Sequence, residues 1–188
     1  MAVKLLATLR LDPSDRFVFE RAAEPGEWAV PGGFRFWDLD PESLEGKARQ
    51  AFRAGFLGLG SFGDSTLAVV VETDAAGRAA ALDALAGHLV AAHGAPSIEG
   101  ARAAAEEEIA FAAALADHPP GTVVALHRTV EAGAVRERFR VLKAAERPAG
   151  RGLTDGSFRA FQFVEVEGDE EPAVDERIDL AGLATERP

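Results

Sequence analysis

The chain has 188 residues, a formal charge of −11 and no cysteine, with 47% hydrophobic and 27% charged residues. That balance is the ordinary globular one, so wholesale disorder is excluded, and a chain of this length buries enough core to fold without a metal or a disulfide. The missing cysteine excludes disulfides, thiolate metal sites and cysteine nucleophiles, the acidic balance disfavours nucleic acid, and no apolar run approaches the roughly 18 residues of a membrane span.

The N-terminal apolar run is short and broken by Arg10, so it is not a signal peptide, and a soluble cytoplasmic protein is expected. Leu5, Ala7, Leu9 and Leu11 alternate with Lys4, Leu6, Thr8 and Arg10, which is the period of a strand. Asp12-Pro13-Ser14-Asp15 is turn chemistry, and Phe17-Val18-Phe19 reads as the returning strand of a hairpin. A short strand is expected at Glu27 to Val30, a break at Pro31-Gly32-Gly33, and another short strand at Phe34 to Trp37.

Asp40-Pro41-Glu42 is a helix start, with a capping side chain, a proline at the first helical position and an acid near the positive pole. Leu44, Ala48, Ala51, Phe52 and Phe56 then fall at helical spacing, and the helix ends in the glycine-rich stretch Gly55 to Gly63. Thr66 to Thr73 is aliphatic and reads as a buried central strand. A helix follows from Asp74 to Ala92, carrying Leu82, Leu85 and Leu89. Another is capped by Ser97 and turns Ile98, Ala101, Ala105, Ile109, Ala112 and Leu115 inward. Three strands close the order: Thr122 to Val130, Val135 to Lys143 and Ser157 to Val166, with a hairpin turn at Glu131 to Ala134 and a polar loop at Pro148 to Gly156.

Strands in hairpin groups without strict βαβ alternation predict an α+β fold: an antiparallel or mixed sheet with about three helices packed on one side. Residues 1–168 are expected to form one domain, and 169–188 an acidic, loosely held tail in which Ile178 to Leu183 are able to dock.

The glycine-rich stretch leaves a helix for a strand, the reverse of a phosphate loop, and is read as a close-packed connector. His88 and His93 lie five apart, about 140° around a helix, so they are not expected to chelate together. His118, at a helix end, suits the negative pole of the dipole. Glu106, Glu107 and Glu108 read as a solvated acidic face, and no metal or cofactor is assigned. No serine elbow is present, and no carboxylate pair stands out in so acidic a chain.

Two groups remain. Arg136, Arg138 and Arg140 alternate along one expected strand and share a face, with Arg128 on the neighbouring strand joining them; such a row grips an anion bidentately, or pairs with Glu131, Glu165 and Glu167. Trp28, Phe34, Phe36 and Trp37 cluster around a glycine pair and form a pocket, an interface or a small core.

The runs LDPSDRFVFERAAEPGEWAV, FRFWDLDPESLEGKARQAFRAGFLGL, SFGDSTLAVV, VRERFR and FQFVEVEG give most of residues 5–168 a resemblance to an uncharacterised alphaproteobacterial family of unknown function. Genes of that family often lie beside accessory genes for molybdenum-dependent formate dehydrogenase and a lipoate-ligase-like protein. The resemblance brings no assigned catalytic residues and implies a maturation or accessory role. The expectation is therefore a non-enzymatic accessory or interaction protein with a protein partner or a homo-oligomeric form. The alternative is a small-molecule-binding or transferase-like enzyme that uses the arginine row.

Overall fold

A computed structural model describes residues 3–144 and 163–165. Eight strands form one sheet: β1 (Val3–Leu9), β2 (Trp28–Val30), β3 (Phe56–Gly58), β4 (Asp64–Ser65), β5 (Leu67–Thr73), β6 (Val123–Glu131), β7 (Ala134–Ala144) and β8 (Phe163–Glu165). Their order is β4-β3-β2-β1-β5-β6-β7-β8, and every named pairing is antiparallel. Among the described residues four α-helices accompany them: the single turn α1 (Asp15–Val18), α2 (Gly46–Ala54), α3 (Ala75–His93) and α4 (Ile98–Leu115). The fold is α+β, as hairpin-grouped strands demand. The proposed tail at 169–188 and the loop at 148–156 lie outside the described residues.

The sheet curls. β4 occupies one edge and β5 lies four strands away, yet Thr66 alone separates them. Two residues of chain reach about 7 Å. Four strand spacings in a flat sheet need roughly 19 Å. One run of chain therefore pairs first with β3 and then with β1, and the strands between must roll into a partial barrel. The joint is pinned by Asp15, whose carboxylate accepts from the Thr66 hydroxyl at 2.6 Å and amide at 3.3 Å, and by Ser65, whose hydroxyl donates to the Leu67 carbonyl at 2.8 Å.

That anchor also explains a correction. Phe17-Val18-Phe19 is not a strand: the turn at Asp12 to Asp15 runs on into α1, Phe19 is buried and Phe17 is exposed. An in-out alternation of two aromatics fits one helical turn and its exit as well as a short strand. β1 pairs instead with β2 and β5. Phe34 to Trp37 is likewise not extended. Gly32, at φ 68°, turns the chain, and Gly33–Phe36 is a 3-10 turn. The start at Asp40 is present, with Asp40 Oδ1 accepting from the Glu42 amide. It opens a 3-10 turn (Pro41–Ser43), and α2 begins afresh at Gly46. The glycine-rich stretch supplies β3 and β4 as well as a connector.

Strand pleating sends neighbours to opposite faces. Leu5, Val30 and Leu57 pack with Ala81, Leu85, Ala86 and Leu89 of α3 and Ala101, Ala105, Ile109 and Ala112 of α4. Their chain neighbours Leu6, Ala29 and Phe56 pack on the other face with Ala68, Val70, Val124 and Leu126. Alanines at the α3–α4 contact let the two helices approach closely over the sheet. Ile98, expected inward, is exposed because it opens the first turn of α4. The helices are not confined to one side: α2 meets β6 from the face that carries Arg128.

Candidate functional site: a cavity between the 3-10 turns, α2 and the β6–β7 hairpin

The β6–β7 hairpin turns through Ala132 and Gly133, both at positive φ (52° and 77°), the conformation of a two-residue type I′ turn. That turn fixes the register: Arg128 lies opposite Glu137, Thr129 opposite Arg136, His127 opposite Arg138 and Ala125 opposite Arg140. Arg136, Arg138 and Arg140 therefore share one face and Arg128 lies on the other. Arg136 and Arg138 are exposed and reach Glu131 at 4.0 and 3.0 Å. The four arginines do not meet.

Arg128 goes inward. Its residue is only 1% exposed. Its Nε donates to Glu137 Oε1 at 2.6 Å, Nη1 to the carbonyls of Phe52 at 3.0 Å and Gly55 at 3.3 Å, and Nη2 to the Pro31 carbonyl. One guanidinium thus ties β6 and β7 to the end of β2 and to both ends of the α2–β3 junction. Burial lowers its pKa from the usual arginine value and Glu137 opposes that shift. Its plane lies 5.7 Å from the centre of the Phe36 ring, which also faces Arg35 at 5.1 Å and Phe52 edge-on at 5.3 Å.

Beside this knot lies a cavity of about 670 Å³. Its walls are apolar at Phe34, Phe36, Phe52, Val130 and Val135, and acidic at Glu108 and Glu137, with Arg128 at the back. Trp37, Leu39, Asp40 and Glu42 form the near side. Trp37 is 83% exposed, Leu39 48% and Val135 47%. A Cβ at Gly33 would sit 2.8 Å from Glu137 Oε1, so a larger residue there would push that carboxylate aside. The aromatic group divides: Phe34, Phe36 and Trp37 line the cavity, whereas Trp28 packs into the core near Gly77 of α3.

Glu108 is the residue that sequence reasoning placed wrongly. Of the supposed solvated face, Glu106 pairs with Arg78 and Glu107 is exposed, but Glu108 turns in and accepts from the Gly32 amide at 2.7 Å. Burial raises its pKa above the usual carboxylate value; the Gly32 hydrogen bond opposes this, and neighbouring Glu137 adds to it. The signal was present: Glu108 lies seven residues after Ala101 and four before Ala112, on the inward stripe of α4. Arg35, also unremarked, pairs with Asp64 at 2.8 Å and donates to the carbonyls of Gly32 and Gly55.

Two other clusters do more than expected. The close-packed glycine-rich connector cradles an anion, the chain's own. Glu27 Oε2 accepts from the amides of Gly60 and Ser61 at 3.0 and 2.9 Å and from the Ser61 hydroxyl at 3.1 Å. Burial alone would raise Glu27, but these donors hold it below the usual value. His88 and His93, expected apart, bring their Nε2 atoms to 3.3 Å. His93 is the last helical residue, so its ring is free to fold back over the preceding turn. Phe62 stacks on His88 and Phe34 meets His93 edge-on. Burial, with Arg35 nearby, lowers both imidazoles, and His93 adds to the effect on His88.

Among the described residues no group of three histidine or acidic side chains is placed to hold a metal ion, and no helix is long and apolar enough to cross a membrane. No curated protein and no solved structure matches the chain. The chain belongs to DUF6505, a family of unknown function, whose model matches residues 2–151.

Proposed function

We propose that this chain is an interaction protein, an accessory factor whose apolar-walled cavity receives a side chain presented by a protein partner. The observation that carries this reading is the division of labour around the cavity. Arg128 spends all three guanidinium nitrogens on Glu137 and on backbone carbonyls, so it serves as scaffold rather than as a hand for a ligand. The apolar side chains Trp37, Leu39 and Val135 stand exposed around the same opening. Large apolar side chains gathered at one concave site are the signature of a protein-binding anchor point. An anionic small molecule gripped by an arginine row has less support, because Arg136 and Arg138 lie on the opposite face and pair with Glu131.

The partner proposed is a component of a molybdenum-dependent oxidoreductase, the role that the family resemblance implies. The test is to purify the tagged chain from its own host, as wild type and as Trp37→Ser, and to identify retained proteins by mass spectrometry. Oxidoreductase subunits are expected with the wild type and lost at least tenfold with Trp37→Ser. Identical sets from both proteins, or none from either, would overturn the reading.

A further inference from the structure

The polar lining of the cavity does not balance. One buried guanidinium, Arg128, faces two carboxylates, Glu108 and Glu137. Arg128 is taken by Glu137, and Arg35, outside the lining, by Asp64. Among the described residues Glu108 is held by a backbone amide, that of Gly32, and is ion-paired to no guanidinium, Arg128 and Arg35 acting on it only from a distance. A partly buried carboxylate held by one amide is poorly compensated. Glu137 lines the same cavity and adds repulsion, which agrees with the upward shift of Glu108. At the opening, Asp40 and Glu42 are further acids. Among the described residues the cavity's one cation, Arg128, sits behind Glu137 with its side chain fully buried.

Resting on the docking reading above, we infer that the side chain received is basic: an arginine or lysine of the partner, flanked by apolar residues, with its charged end on Glu108 and its stem against Phe36, Phe34 and Trp37. Such a group supplies the missing positive charge, and its methylene stem suits aromatic walls. An arginine adds planar stacking and a two-pronged hydrogen bond that a point charge lacks. Residues 169–188 carry seven acids against two arginines, Arg177 and Arg187, so they complement this cavity less well than a basic partner does.

The experiment uses the full chain and three capped peptides, Leu-Arg-Leu, Leu-citrulline-Leu and Leu-Glu-Leu. Binding is followed by the Trp37 indole resonance in 1H–15N spectra, assigned by its loss in Trp37→Phe. The arginine peptide is expected to bind at least tenfold more tightly than its uncharged citrulline isostere, and the glutamate peptide most weakly. In Glu108→Gln the arginine preference should fall to about threefold or less while the citrulline peptide binds as before. Equal binding of arginine and citrulline peptides, or an arginine preference unchanged in Glu108→Gln, would overturn the inference and leave the docking reading standing. No binding by any of the three would sink both. Binding seen only in a chain ended at residue 168 would assign the cavity to residues 169–188 and overturn the partner.

Discussion

Arg128 and Glu108 show two ways of holding a charge out of water. Arg128 is compensated on every nitrogen, so removing it should be costly in a specific manner. Arg128→Met strands the carbonyls of Pro31 and Phe52, leaves that of Gly55 to Arg35 alone, and leaves Glu137 without its cation. A loss of about 3–5 kcal/mol is expected, read from urea unfolding midpoints. The double variant Arg128→Met/Glu137→Leu should regain more than half of it, because replacing both partners removes the orphaned charge. Glu108 is the opposite case. Its pKa is raised in the folded state, so its favourable contribution is full below the ordinary carboxylate range and declines as pH rises through the folded value. Glu108→Gln keeps an acceptor for the Gly32 amide and cannot ionise. It should melt with the wild type near pH 4 and about 2 °C above it at pH 7. A lower melting temperature at both pH values would show that Glu108 is better compensated than its surroundings indicate.

At the scale of elements, what was legible followed from pattern, and what was not followed from register and from turns. α3 and α4 stand where apolar periodicity, Asp74 and Ser97 put them, each capping side chain accepting an amide three residues on. The antiparallel strands followed from hairpin grouping. The arginine row failed at Arg128 because the two sides of a hairpin are related by the turn alone. A two-residue turn at Ala132-Gly133 places Arg128 opposite Glu137, whereas reading the turn loosely as Glu131 to Ala134 leaves the pairing undecided. Phe34 to Trp37 misled because a 3-10 turn also spreads alternate aromatics to different surroundings, Phe34 toward His93 and Phe36 toward Phe52. The cavity itself was illegible, since its walls come from segments a hundred residues apart. The turn offers its own check. Ala132 sits at φ 52°, which a Cβ disfavours. Ala132→Gly should stabilise by about 0.5–1 kcal/mol in thermal unfolding, with the glycine's greater unfolded-state freedom offsetting part of the relief. No gain would mean that the turn is held elsewhere at little strain.

Across the whole molecule, the cavity sits where three separately built parts converge: the exit of β2, the α2–β3 junction and the overhanging end of the β6–β7 hairpin. β6 pairs with β5 through Val123, Val124 and Ala125 only, so Leu126 to Glu131 reach past the sheet and are fastened chiefly by Arg128 and by β7. The rolled sheet has a consequence of another kind. Because Asp64 to Thr73 is one run of chain serving two strand neighbours, parting β3 from β4 pulls directly on the segment that β1 holds. Deuterium uptake should therefore reach the backbone amides of Gly58 in β3, which donates to Gly63, and Val71 in β5, opposite Leu5 of β1, at similar rates through a shared opening, and inserting two glycines after Thr66 should let the β3 side exchange on its own.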